Sequence, residues 1–174
     1  MIDITRVVWS SLIYGSVLSL LLSIAILGSL RFNPEIWLAD YPAEIRANFG
    51  PMSEKAKKQR NVFAIFFLLT VIGLPSISIW QLYRASGGQV GFGAAFLNTW
   101  IILMVFNLFD LLVLDWLIMV RIQPKFIFLP GTEGMEVYNS YGFHFKGFLK
   151  GTVLTLLASL AIAGIIVLTL RVIT

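Results

Sequence analysis

The amino-acid sequence predicts an all-α fold, an integral membrane four-helix bundle that forms a single domain over residues 1–174. Of the 174 residues, 58% are hydrophobic and 13% are charged, whereas soluble domains are about half apolar and about a quarter charged. The apolar residues come in long blocks, which indicates lipid as the solvent. The net charge of +4 is too small to indicate a nucleic-acid partner, and the absence of cysteine excludes disulfides and thiolate metal sites.

Four apolar segments are long enough to cross a bilayer. They cover about 7–30, 62–83, 95–120 and 147–170, and each exceeds the roughly 20 residues that a spanning helix needs. Helices are expected because every backbone polar group inside the hydrocarbon layer must find its partner within the protein. The segments 31–61 and 121–146 are then long loops, and the glycine-rich stretch 87–93 is a short turn between helices.

The positions of lysine and arginine predict the orientation. The two long loops and the helix ends beside them carry ten of these residues, and the opposite side carries only Arg6, Arg84 and Arg171. Positively charged loops stay on the cytoplasmic side. We therefore expect a multi-pass protein of a bacterial-type inner membrane, with both long loops inside and both termini outside.

A short internal similarity allows a second description of the bundle, as two tandem helical hairpins. The first span is followed by Arg31-Phe-Asn-Pro34 and the third by Arg121-Ile-Gln-Pro124. Two hairpins of like orientation would be related by an axis along the membrane normal. The alternative is that a proline after a terminal arginine is common wherever a helix leaves the membrane.

The third span contains the polar residues that point most directly to a function, Asn107, Asp110 and Asp115. Counted from Arg121 with the rise of an α-helix, Asp110 lies about 16 Å deep and Asp115 about 9 Å deep. A carboxylate at that depth is costly, so we expect Asp110 to be protonated and surrounded by Ser19, Thr70 and Ser159. In an α-helix the two acids are about 140° apart and need not share a pocket. Asp110 is either a proton site or a hydrogen-bonding contact between helices; for Asp115 a structural role is favoured.

Two stripes of small residues predict close helix packing. The first helix has Gly15, Ser19 and Ser23 at intervals of four, and the fourth has Gly151, Thr155, Ser159 and Ala163. Small residues at this spacing let two helix backbones approach. Packing within the four-helix unit is favoured over a dimer interface.

The single histidine, His144, precedes the fourth span. Asp115, Glu133 and Glu136 are near enough in the topology to approach it, yet no ligand motif is present. An interfacial histidine beside aromatic residues is therefore favoured over a metal or acid–base site. We expect no catalytic residue, metal or cofactor.

Four basic residues stand directly before the second span, Lys55, Lys57, Lys58 and Arg60. They are able to attract anionic lipid head groups, although the plainer interpretation is a topology signal. The membrane lipids, a second copy of the chain and another membrane protein are the partners that we expect.

Three functions remain open at this point. The favoured one is a non-catalytic membrane subunit that binds a partner or itself. The second is a small oligomeric transporter or channel, proton-linked through Asp110. The third is an interfacial enzyme on a lipid-like substrate, using Asp115, His144 and Glu133.

Overall fold

In a computed structural model of the chain, residues 3–173 are described and form an all-α bundle. Its helices are α1 (Ile4–Phe32), α2 (Ala43–Phe49), α3 (Glu54–Ala85), α4 (Phe92–Phe109) and α5 (Tyr141–Ile173). Helix α4 continues without a break into a π-helix, the π segment (Asp110–Ile122). Three short 3₁₀ helices, Pro34–Asp40, Lys125–Ile127 and Glu136–Asn139, lie in the long loops.

Four helices are long and apolar enough to cross a membrane, which confirms the predicted fold class. They are Ile4–Phe32, Glu54–Ala85, Phe92–Ile122 and Tyr141–Val172. Each is longer than the apolar segment that predicted it, because polar and charged turns extend the helix at its ends. The second span is extended most, since α3 begins at Glu54 and its first turns carry the four basic residues.

The helix ends follow local sequence signals. The Ser53 side chain accepts a hydrogen bond from the Ala56 amide and so caps α3. Gly50 ends α2 with a φ of 91°, a backbone conformation that residues with a Cβ atom rarely adopt. Gln123 ends the π segment with a φ of 50° and is the only non-glycine residue with positive φ in the described chain.

Helix α4 is the centre of the bundle, and α1 and α5 pack against it most extensively. On the α1 side, a Cβ added at Gly15 would lie 2.8 Å from Val105 Cβ and 3.2 Å from the Ile102 carbonyl oxygen. On the α5 side, a Cβ added at Gly151 would collide with the Asn107 amide. Both predicted stripes therefore pack inside the four-helix unit.

The long loops fold together at one end of the bundle, called here the loop end; the termini end carries the start of α1, the end of α5 and the turn at 86–91. Five buried residues form the core of the loop end: Leu38, Tyr41, Ile45, Leu129 and Tyr138. The Tyr41 hydroxyl donates to the Ile127 carbonyl at 2.6 Å and so joins the two loops. Burial beside Tyr138 and Asp40 raises the pKa of Tyr41, which remains a neutral donor.

The tandem-hairpin description stays a prediction. Pro34 and Pro124 each open a 3₁₀ helix just after a span, so the local similarity is real. However, α4 packs closely with α5, whereas α1 packs on α4 more than on α3. The two sequential pairs are therefore packed differently.

The close approach at Gly15 gives a stability prediction with an internal control. We expect Gly15→Ala to lower the free energy of unfolding by about 1–3 kcal/mol, because the methyl group would press on Val105 and on backbone. Gly28→Ala on the same helix adds a methyl group that meets nothing within 4 Å. That variant should be neutral or stabilising by up to about 1 kcal/mol, since alanine favours helix. Thermal unfolding of both variants in one detergent tests this, and equal stabilities would contradict it.

Candidate functional site

The π segment alters the geometry that an α-helix predicts for the two intramembrane acids. Its amides bond five residues back, as the Gln123 amide does to the Ile118 carbonyl at 2.9 Å. Residues five apart then lie on adjoining turns, and Asp110 is close enough to Asp115 for their charges to interact. The expected separation of about 140° is therefore wrong. The predicted depth of Asp110 is an upper limit, because a π-helix places more residues in each turn.

Asp115 contacts the histidine of α5. His144 Nδ1 lies 2.9 Å from Asp115 Oδ1, and the two side chains are 15% and 24% exposed. A neutral histidine bonded in this way carries its proton on Nδ1 and leaves Nε2 free to accept another. The predicted topology allows Asp115 to approach His144, and a contact between two helices is compatible with the structural role favoured for Asp115. The interfacial role of His144 stays a prediction.

A third carboxylate reaches the same site from the first long loop. Asp40 ends the 3₁₀ helix Pro34–Asp40 and is close enough to Asp110 and Asp115 for its charge to interact with theirs. It keeps an exposed surface, yet the protein around it removes enough water to raise its pKa above 3.8. The charge of Arg60 opposes this rise most strongly, the charge of Asp115 adds to it, and that of Arg46 also opposes it. The acid–histidine site is defined as Asp40, Asp110, Asp115 and His144.

The hydroxyl groups predicted around Asp110 are bonded elsewhere. Ser19 donates to the Gly15 carbonyl, Thr70 to the Phe66 carbonyl and Ser159 to the Thr155 carbonyl, at 2.8, 2.8 and 2.6 Å. Each hydroxyl thus donates its hydrogen bond to a backbone carbonyl on the preceding turn of its own helix. Hydroxyl oxygens that donate in this way are still able to accept a hydrogen bond, so the polar cluster around Asp110 stays a prediction.

Asn107 connects α4 to α5 instead of bonding to the acids. Its Nδ2 donates to the Phe148 carbonyl and to the Thr152 hydroxyl, both at 3.2 Å. The small Gly151 leaves room for the amide. This contact fixes α5 one to two turns from His144, so we assign Asn107 to positioning the histidine helix.

The remaining predicted candidates lie apart from the acid–histidine site. Glu133 accepts a hydrogen bond from the Gly131 amide within its own turn, 2.9 Å away. Lys55, Lys57 and Lys58 are exposed on the first turns of α3, where Lys57 pairs with Glu54 at 2.7 Å. Within residues 3–173, no group of three or more histidine and carboxylate side chains is arranged to hold a metal ion.

A second polar contact, which sequence reasoning missed, lies towards the termini end. Asn98 is fully buried, and its Nδ2 donates to the Ser11 hydroxyl of α1 at 2.8 Å. Asparagine side chains inside membrane spans commonly form hydrogen bonds between helices. The presence of Asn98 within an apolar segment could therefore have predicted this contact. Asn98 explains part of the extensive α1–α4 packing.

The chain matches no protein-family model, no curated protein and no solved structure in comparisons with each. Function is therefore inferred from the chemistry of the loop end alone.

Because the chain has one histidine, the hydrogen bond between Asp115 and His144 can be measured directly on the histidine ring. In protein labelled with ¹⁵N-histidine, the neutral ring of His144 should carry its proton on Nδ1, because Asp115 accepts from that nitrogen. Asp115→Ala removes the acceptor, and we expect the ring to shift towards the Nε2-protonated form. Glu136→Gln, which also removes a loop-end acid, is the control. An unchanged tautomer in Asp115→Ala would contradict the pair.

Proposed function

We propose that the protein is a small multi-pass membrane protein whose acid–histidine site takes up and releases protons, so that its function is proton-linked. The observation that supports this is the contact of 2.9 Å between His144 and Asp115, with Asp110 on the adjoining turn of the π segment. Chains of acids and histidines inside spans are the usual carriers of protons in membrane proteins. Histidine changes its charge near neutral pH, and π-helical turns are frequent at functional sites.

The surroundings of the site favour exchange with one side only. Asp40 is exposed at the loop end and gives the site contact with water there. On the other side of Asp110, the centre of the bundle holds a buried apolar cluster of Leu18, Leu22, Ile102 and Leu103, each at most 3% exposed. The buried hydroxyls beside this cluster, Ser19 and Thr99, donate to carbonyls of their own helices. A proton needs free polar partners to move past such a cluster. The proposed role is therefore proton binding from the loop end, and a transport step would need a second conformation.

Partner binding is the second candidate, and the packed loop end favours it. The core around Tyr41 and Tyr138 gives the two loops a fixed surface outside the spans, which a mere connection between helices does not need. The small-residue stripes no longer support self-association, because both face α4 within the same chain. A partner subunit would then bind at the loops. For the third hypothesis, an enzyme on a lipid-like substrate, the His144–Asp115 pair is favourable evidence. Glu133 is not, because it is bonded within its own turn.

Infrared spectroscopy of sealed vesicles tests the one-sided proton site. The carboxylic C=O band of Asp110 is assigned by its loss in Asp110→Asn, which keeps the shape of the side chain. We expect this band to follow the pH of the compartment that faces the loop end and to ignore the other compartment. Glu44→Gln, which changes an exposed loop acid, should leave the band unchanged. A band that follows the opposite compartment, or that never responds, would refute the proposal.

The orientation is tested by labelling single cysteines, which the natural chain lacks. Ala47, Lys125 and Gln89 are exposed, whereas the serines 53, 86 and 140 make hydrogen bonds at helix ends. If the loop end is cytoplasmic, a membrane-impermeant thiol reagent outside sealed cells labels only Gln89→Cys. Permeabilised cells should label all three. Labelling at position 47 or 125 in sealed cells would reverse the assigned orientation.

A further inference from the structure

A groove runs between α1 and α3 at the termini end, on the opposite side of α1 from its contact with α4. It encloses about 520 Å³. Its walls are mostly apolar, and the residues used below are Arg6, Trp9, Ser10, Ile13 and Val17. The groove exists because α1 packs on α4 far more extensively than on α3. Its volume lies within the range of ligand sites in proteins, about 300–1,000 Å³.

The positive charge of Arg6 lies at one end of this groove. Arg6 Nη1 donates to the Ala85 carbonyl at 3.2 Å, which holds the guanidinium over the groove where α3 ends. The other N–H groups of the fork remain able to bind a phosphate oxygen. Trp9 is 63% exposed one turn below, at the level where tryptophan marks the membrane interface.

Below Arg6 the groove has the dimensions and surface of an acyl-chain site. From Arg6 to Val17 the helix rises about 16 Å, and Ile13 and Val17 are 60% and 40% exposed along this length. Ser10 is bonded to the buried Ser78 of α3 at 2.9 Å, which satisfies the polar group of the groove floor. The arrangement is cationic at the interface and apolar along the span, as a phospholipid requires.

We propose that this groove binds one phospholipid, with its phosphodiester at Arg6 and one acyl chain along Ile13 and Val17. The occupant is a bilayer lipid because the cation and the apolar wall match the two parts of that molecule. A second copy in the same orientation would bring mostly like charge to Arg6, because the termini end of the described chain carries three arginines and one acidic side chain, Asp3. The site lies at the opposite end of the bundle from the acid–histidine site and does not depend on the proposed proton function.

The binding test uses native mass spectrometry of the full chain released from nanodiscs that contain phosphatidylglycerol. The parent should retain one lipid per chain. Arg6→Gln should weaken retention about tenfold, because it removes a charge-assisted hydrogen bond. Arg84→Gln removes an exposed arginine at the same end outside the groove and should retain lipid as the parent does. Equal retention in Arg6→Gln and the parent would overturn the site.

A photo-reactive phospholipid locates the lipid without any substitution. With the reactive group at the middle of the acyl chain, cross-links should concentrate on the peptide that holds Ile13 and Val17, and excess unlabelled phosphatidylglycerol should compete them away. Cross-links spread equally over the exposed face of α5 would indicate annular lipid and overturn the proposal. Protein-to-protein cross-links at these residues would do the same by assigning the groove to a second copy.

Discussion

The hydrocarbon layer offers a polar group no solvent to bond with, and this constraint governs the arrangement of the bundle. Hydroxyl groups meet it locally. Ser19, Ser23 and Thr70 each donate to the carbonyl four residues earlier on the same helix. Amides need more partners, and Asn98 and Asn107 reach across to α1 and α5. Each of these two amides joins α4 to a different neighbour, in addition to the apolar packing that surrounds α4.

Carboxylates cannot be satisfied by a hydroxyl on the same turn, and the fold gathers them at one end. The π segment places Asp110 on the turn beside Asp115, and α5 brings His144 to that pair. The loop residue Asp40 is the fourth member of the site. Burial raises the pKa of Asp40, and the positive charge of Arg60 opposes this rise most strongly. Charges that lie this close together interact, so a change of charge on one of these residues affects the others. The Asn107 bond to α5 helps to hold the histidine helix in register.

The parts of this structure that the sequence predicts are those determined locally. Span number follows from apolar length, the Ser53 cap and the Gly50 stop follow from residue type, and the packing stripes follow from spacing. The π segment left no comparable trace, because its i→i+5 bonds depend on backbone geometry that many apolar residues accept. An α-helical count therefore separated Asp110 from Asp115. The approach of Asp40 to these acids depends on how two loops fold together, and no local pattern encodes that contact.

The apolar cluster at the centre of the bundle limits what the acid–histidine site can do. Leu18 and Leu22 of α1 meet Ile102 and Leu103 of α4 there. The buried hydroxyls of Ser19 and Thr99 lie beside this cluster in the chain, and each donates to a carbonyl of its own helix. Because a proton moves along a chain of hydrogen-bonding partners, transfer past this cluster would require these hydroxyls to exchange their bonds or the helices to move apart.

The contact between α1 and α4 is the most extensive of the bundle, with Gly15 at its closest approach. Proton binding from the loop end leaves this contact intact, whereas a transport step that separates α1 from α4 would break it.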